Sequence, residues 1–181
     1  MRHKPITITS EPGNVLYRVK RGLCGYVSYL AACEMNQAFS EYVLYEPILR
    51  ILMARGYSVR CEYDCPGITQ PLTGAKKRLD FFASTETIQF ALEVKWARNA
   101  RPVINRDIEK LRCVVAARPG TLAFLCIFGR GSHLENLNLA VRDFHERGKP
   151  VYADLGATRF GCRIYELAAL RTTRGLTAAR D

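Results

Sequence analysis

Long apolar runs are missing from this chain. No stretch is long enough to cross a bilayer, which predicts no membrane-spanning helix and no membrane partner. The opening residues, MRHKPITITS, lack the apolar core of a secretory leader. Histidine is scarce, with three copies. His3, His133 and His145 make no metal-ligand pattern, and no Ser–His–Asp arrangement is evident. His133 and His145 are expected near the two ends of one helix, where a charged or capping role suffices. The glycines form no phosphate-cradling loop, because GRGS (129–132) is short and lacks the lysine of a P-loop. Internal repeats and low-complexity linkers are absent. Cys61 and Cys65 could be half a zinc site, but no second pair at matching spacing completes it. Acids are outnumbered: 17 Asp and Glu stand against 27 Lys and Arg, for a net charge of +10. That excess attracts polyanions, although a merely solvated basic surface has the same composition.

What remains is a globular composition, 48% hydrophobic and 24% charged over 181 residues, which suits one domain. Seven cysteines stand at irregular spacings, and Cys113, Cys126 and Cys162 lie inside apolar runs. They are expected to be reduced core thiols in a cytoplasmic protein. Residues 1–36 form a basic, then apolar, N-terminal extension. Its first 22 residues are expected to be irregular and residues 24–36 a short helix. Residues 40–128 form the core. Ser40 is a candidate cap for a helix whose face carries Leu44, Tyr45, Ile48, Ile51 and Leu52, with Gly56 as its stop. Pro47 either kinks this helix or marks a later start. Strands are expected at 57–63, 79–83, 88–96 and 121–128, with a loop over 65–78. A helix capped by Asn105 and ended by Pro119-Gly120 separates the last two strands. Residues 129–181 add a helix with a Ser132/Glu135 capping box and Leu134, Leu137, Val141 and Phe144 on one face. Short strands follow at 150–154 and 162–167. The order α-β-β-β-α-β-α-β predicts a mixed α/β layered fold.

Strand alternation isolates the residues that could do chemistry. In IQFALEVKW, Ile88, Phe90, Leu92, Val94 and Trp96 take one face, and Gln89, Ala91, Glu93 and Lys95 the other. Asp80 sits in a second apolar strand and can approach Glu93 if the two strands form a hairpin. Buried carboxylates need compensation. A divalent cation on oxygen ligands would supply it; a salt bridge at a sheet edge is the alternative. Helical geometry puts Glu41 in the middle of its apolar face and Glu46 towards solvent. If Pro47 starts the helix instead, Glu46 takes that part.

Glu41 in a leading helix, then Asp80, then Glu93-Val94-Lys95, resembles the PD-(D/E)xK nuclease superfamily. The likeness covers residues 40–128, with Leu79 where the family name has proline. It implies a restriction-endonuclease-like three-layer core, a central mixed sheet flanked by helices. It further implies Mg2+ or Mn2+ held by Asp80, Glu93 and the Val94 carbonyl, with Lys95 positioning the attacking water and Glu41 supporting the site. Polar residues on the helix after the third strand often face the site in this family, and Asp107 and Lys110 lie together there. The activity so implied is metal-dependent hydrolysis of phosphodiester bonds, by endonuclease or exonuclease action, with DNA as the expected nucleic acid and a homodimer left open. Lys76, Lys77 and Arg78 enter the Asp80 strand, and Arg98 and Arg101 leave the Lys95 strand. They are expected to flank the site where a phosphate backbone lies, unless they are loop charges facing water. Tyr57, Tyr63 and Trp96 are expected to pack in the core rather than stack on bases. Two other classes fit the same sequence: a catalytically inactive nucleic-acid-binding protein of this fold, and an assembly module using residues 24–36.

Overall fold

The computed structural model describes residues 11–35, 40–139, 143–155 and 157–168. Helix α1 runs Pro12–Ala32. Proline at its first position has no N–H to leave unsatisfied, and Glu11 caps the turn by accepting from the Asn14 N–H at 2.8 Å. Val15, Leu16, Val19, Leu23, Val27 and Leu30 recur at helical spacing and are buried. The expected irregular 1–22 segment and short 24–36 helix are therefore corrected. The helix starts at Pro12 and ends at Ala32, with the basic residues Arg18 and Arg21 on its exposed side. His3 and the other residues before Glu11 lie outside the described residues.

Ser40 precedes a 3-10 turn, Glu41–Leu44, which runs into α2, Tyr45–Met53. Pro47 sits in the first turn of α2, where a missing N–H breaks no intrahelical bond. Gly56 takes φ +82° just past the helix end, the left-handed geometry that stops a helix. Strands β1 (Ser58–Asp64), β2 (Arg78–Ser84) and β3 (Gln89–Ala97) follow, then α3 (Asn105–Ala117) and β4 (Leu122–Arg130). Asn105 is the first residue of α3 and not its cap; Ile104 holds that place without a side-chain bond.

The C-terminal third departs further from expectation. Helix α4 is a single turn, Gly131–Leu134, with Arg130 ahead of it and no side-chain cap, so the Ser132/Glu135 box does not form. Phe144 lies instead in β5, Phe144–Glu146, and Val141 lies outside the described residues. His133 and His145 therefore do not share a helix. The same 3-to-4-residue spacing serves a turn and a strand here because Phe144 and Tyr165 bury against one core. Strands β6 (Val151–Leu155) and β7 (Thr158–Leu167) are the last elements among the described residues.

The strands form one mixed sheet in the order β1-β2-β3-β4-β7-β5, with β6 beside β5 along the outer edge of β7. Only β3 and β4 are parallel, as a crossover through α3 requires. The sheet divides two cores. On one face, α1 and α2 pack on Phe81, Phe90, Leu92, Val94, Phe124 and Phe128. On the other, Ile108, Leu111 and Val114 of α3 pack on Ala91, Ala123, Leu125 and Ile127. Lys20 is buried at 2% exposure, and its ammonium donates to the carbonyls of Arg147 and Lys149 at 2.7 Å each, tying α1 to the chain before β6. Among the described residues no helix is long and apolar enough to cross a membrane.

Candidate functional site

The antiparallel ladder between β2 and β3 ends at Phe81–Leu92. Beyond it the two strands part, and the N–H groups on that edge of β3 need other acceptors. Two carboxylates supply them. Asp80 Oδ2 accepts from the Val94 N–H at 2.6 Å, and Glu41 Oε2 accepts from the Trp96 N–H at 3.0 Å. In an extended strand a residue's N–H and C=O point the same way, so the Val94 carbonyl lies along this same open edge.

The ladder is also interrupted on the other side of Asp80. Pairs Cys61–Phe81 and Tyr63–Leu79 flank the gap, and Glu62, which would face Asp80, takes φ +50°. A non-glycine residue in that region costs on the order of 1 kcal/mol and concentrates at functional sites. Tyr45, at the start of α2, reaches into the gap. Its hydroxyl donates to Asp80 Oδ1 at 2.5 Å, with Glu62 Oε1 at 3.4 Å.

Glu93 projects towards α3 and is fully buried. Lys110 meets its carboxylate directly, and the same ammonium donates to the Arg78 carbonyl at 2.9 Å. The Asp80 N–H approaches Glu93 Oε1 at 3.4 Å, which brings the two acids together across the fork. Lys95, on the same face of β3 as Glu93, lies 3.5 Å from Glu41 and 3.7 Å from Asp107. Asp107 also stands 3.6 Å from Lys110. Glu41, Asp80, Glu93, Lys95, Asp107 and Lys110 thus converge as one cluster of four acids and two lysines.

Electrostatics follow from burial. Burial pushes Asp80 up to about 6, against the hydrogen bonds from Tyr45 and Val94. Burial, then the neighbouring Asp80 charge, pushes Glu93 up to about 9, with Lys110 pulling the other way. Burial disfavours the Lys110 ammonium, yet Glu93 holds its pKa above the ordinary lysine value. The contact is that of an ion pair, so the ammonium keeps Glu93 below where burial alone would set it. Tyr45 is raised by burial and then by Asp80, so its hydroxyl stays a donor.

Other expected residues divide. Glu46 is exposed and paired with Arg50, which leaves Glu41 as the helix acid; it reaches the site from a 3-10 turn, not from an α-helical face. Lys76, Lys77, Arg78, Arg98 and Arg101 are all exposed. Lys77 pairs with Glu109 at 3.3 Å and Arg78 with Asp64 at 3.4 Å. Only the Arg78 backbone, through its carbonyl, touches the cluster. Trp96, Tyr57 and Tyr63 pack on Phe128, Phe90 and Phe82 at 5.1, 5.1 and 5.2 Å between ring centres. Cys126 and Cys162 are buried, Cys113 is half-buried and Cys61 is exposed. His133 contacts the Ala97 carbonyl at 3.0 Å and His145 lies 3.3 Å from Glu166.

Two site residues escape the sequence. Tyr45 looks like one more apolar face residue of α2, and nothing marks Glu62 as a left-handed break in β1. Among the described residues no group of three or more His, Cys, Asp or Glu side chains converges as a metal cage. Mg2+ does not need one, since it keeps several waters and typically takes one or two carboxylates. Asp80 and Glu93 are hard oxygen donors, and the ammonium beside Glu93 is the only positive charge in direct contact with either among the described residues, so the pair fits such a cation. No family model matches the chain, and no curated protein or solved structure matches it either.

Proposed function

We propose that the chain is a divalent-cation-dependent nuclease with a restriction-endonuclease-like core, hydrolysing phosphodiester bonds of nucleic acid, DNA before RNA, in the cytoplasm. The observation that carries this reading is the fork between β2 and β3, where Asp80, Glu93, Lys95 and Glu41 share one open strand edge. Asp80, Glu93 and the Val94 carbonyl would hold Mg2+ or Mn2+. The bound cation would supply charge stabilisation at the phosphoryl oxygens and the departing oxygen. The chain's own residues do the positioning. Tyr45 and the Val94 N–H fix both Asp80 oxygens. Glu41 and Asp107 hold the Lys95 ammonium, which orients the attacking water by hydrogen bonding. The water oxygen bonds to phosphorus as the ester P–O bond breaks, and a proton ends on the departing alcohol.

The test is plasmid cleavage with Mg2+ or Mn2+. Cleavage that persists in Asp80→Ala, Glu93→Ala and Lys95→Ala sinks the assignment. One observation favours a second reading, a catalytically silent binding protein: Lys110 already meets the buried charge of Glu93. Salt-sensitive nucleic-acid binding with no cleavage under either cation selects it.

A further inference from the structure

Away from the acid cluster, α1 and the end of α2 enclose a groove of about 590 Å³. It is lined by Asn14, Tyr17, Arg18, Arg21, Ile51 and Arg55, among others, and none of its lining residues is an acid. The volume lies within the roughly 300–1,000 Å³ usual for ligand sites. The helices meet closely here: a Cβ on Gly22 would fall 2.4 Å from Ile51 Cδ1. The groove's walls are therefore two packed helices and the turn that follows α2.

Among the described residues its three arginines have no acidic partner. Arg18 Nε donates to the neutral Asn14 side chain at 3.0 Å, and the Arg21 guanidinium lies 5.9 Å from the centre of the Tyr17 ring. Arg55 Nη1 is buried with no hydrogen-bond partner. Arg50, on the helix that leads into Arg55, shows the contrast, since Glu46 neutralises it. Guanidinium cannot shed its charge, and a buried donor left unmade is costly. An anion in the groove would meet the three unneutralised guanidinium charges, and the fork of an arginine suits phosphate oxygens.

We propose that this groove is a second, phosphate-binding site that holds a nucleic-acid strand by its backbone. Arg18, Arg21 and Arg55 are the donors. Tyr17, 49% exposed at the groove, offers a ring on which a base stacks. The chain's net charge of +10 adds the long-range attraction. Arg55 lies past the far end of α2, with about 12 Å of helix rise between Tyr45 and Met53, so this contact is separate from the acid cluster. The proposal shares its polymer with the nuclease reading but needs no cleavage.

Fluorescence anisotropy of the full chain tests it, with a labelled single-stranded oligonucleotide of about twenty nucleotides, in EDTA, across a range of salt. Arg18→Gln/Arg21→Gln and Arg55→Gln are each expected to weaken binding by about fivefold or more. Each lost contact should lower the slope of log K against log salt by about 0.7. Inorganic pyrophosphate should compete. Unchanged affinity and slope in variants that melt like the parent overturns the proposal. So does pyrophosphate binding without oligonucleotide binding, which would make this a site for small phosphates. If Arg55→Gln does not fold, Arg55→Lys takes its place, with an expected loss of affinity because the fork is gone. Working in EDTA separates the two failures: a silent acid cluster leaves this binding intact, and a lost groove leaves Asp80 and Glu93 in place.

Discussion

Strand β3 has two faces that differ in almost everything except their backbone. Phe90, Leu92 and Val94 point into the core under α1 and α2 and are fully buried. Glu93 and Lys95 point the other way, towards α3, where Glu93 is as deeply buried as Leu92. Burial stabilises the first set by removing apolar surface from water. The same burial penalises the second, and only Lys110, Asp107, Glu41 and the strand-edge amides offset it. One face therefore stabilises the fold, and the other keeps charges that folding alone would not select. Substitutions on β3 should separate these two roles cleanly.

The largest effect is expected on the charged face. Glu93→Ala, Asp80→Ala and Lys95→Ala should each cut cation-dependent cleavage by about a thousandfold, roughly 4 kcal/mol of barrier. Leu92→Ala, one residue from Glu93 on the opposite face, should do the reverse. It should cost about 2–5 kcal/mol of stability through the lost contacts and cavity, measured by urea unfolding, and leave cleavage by the folded protein near normal. If Leu92→Ala abolished cleavage without unfolding, the separation of faces would be wrong. A smaller effect belongs to the cation itself. At a hundred times its Kd, Mn2+ should stabilise the parent by about 2.7 kcal/mol. Calorimetry should show that gain absent in Asp80→Ala/Glu93→Ala and preserved in Leu92→Ala.

The two faces also differ in how far the sequence reveals them. Alternation in IQFALEVKW separates Leu92 and Val94 from Glu93 and Lys95 without any structure, because period two is a property of every strand. The hairpin that brings Asp80 to Glu93 follows from two short apolar strands in succession. What stayed hidden depends on long-range packing. The ladder break at Glu62 has no local signature, since glutamate carries no preference for φ +50°. Tyr45 reads as a core residue because its ring is one, packing 4.8 Å from Phe81 between centres; only its hydroxyl serves Asp80. The Ser132/Glu135 box fails for the same kind of reason. The local helix signal survives only as the single turn Gly131–Leu134, and Phe144 pairs with β7 as a strand instead of continuing it. Arg18 and Arg21 read as irregular basic sequence, although Val15, Val19, Leu23 and Val27 beside them carry the helical period.

The last test sharpens the comparison most, because it is read as a slope and without substrate. Glu93 is raised to about 9 from an ordinary 4.5, and Asp80 to about 6 from 3.8. An acid whose folded pKa lies above its unfolded value binds more protons in the folded state. Its stabilising contribution is full below the unfolded value and is lost as pH climbs through the folded one. Between about pH 4.5 and pH 9 Glu93 should therefore make the cation-free protein less stable as pH rises. The limit for one proton is about 1.4 kcal/mol per pH unit. Lys110, itself held protonated throughout this window, already pulls Glu93 down to about 9, so it narrows the window and not the slope. Glu93→Gln removes the titrating group and should flatten the slope between about pH 6 and pH 8.5, while Asp80→Asn should flatten it between about pH 4 and pH 6. Leu92→Ala should lower the whole stability curve and leave its slope alone. Saturating Mn2+ should abolish the slope in the parent above about pH 6, since a cation that needs both carboxylates ionised removes the extra protons of the folded state. Parallel slopes for the parent and Glu93→Gln, from thermal melts in EDTA, would show that the buried charge of Glu93 is fully met by Lys110 and that the two faces of β3 are less different than their chemistry suggests.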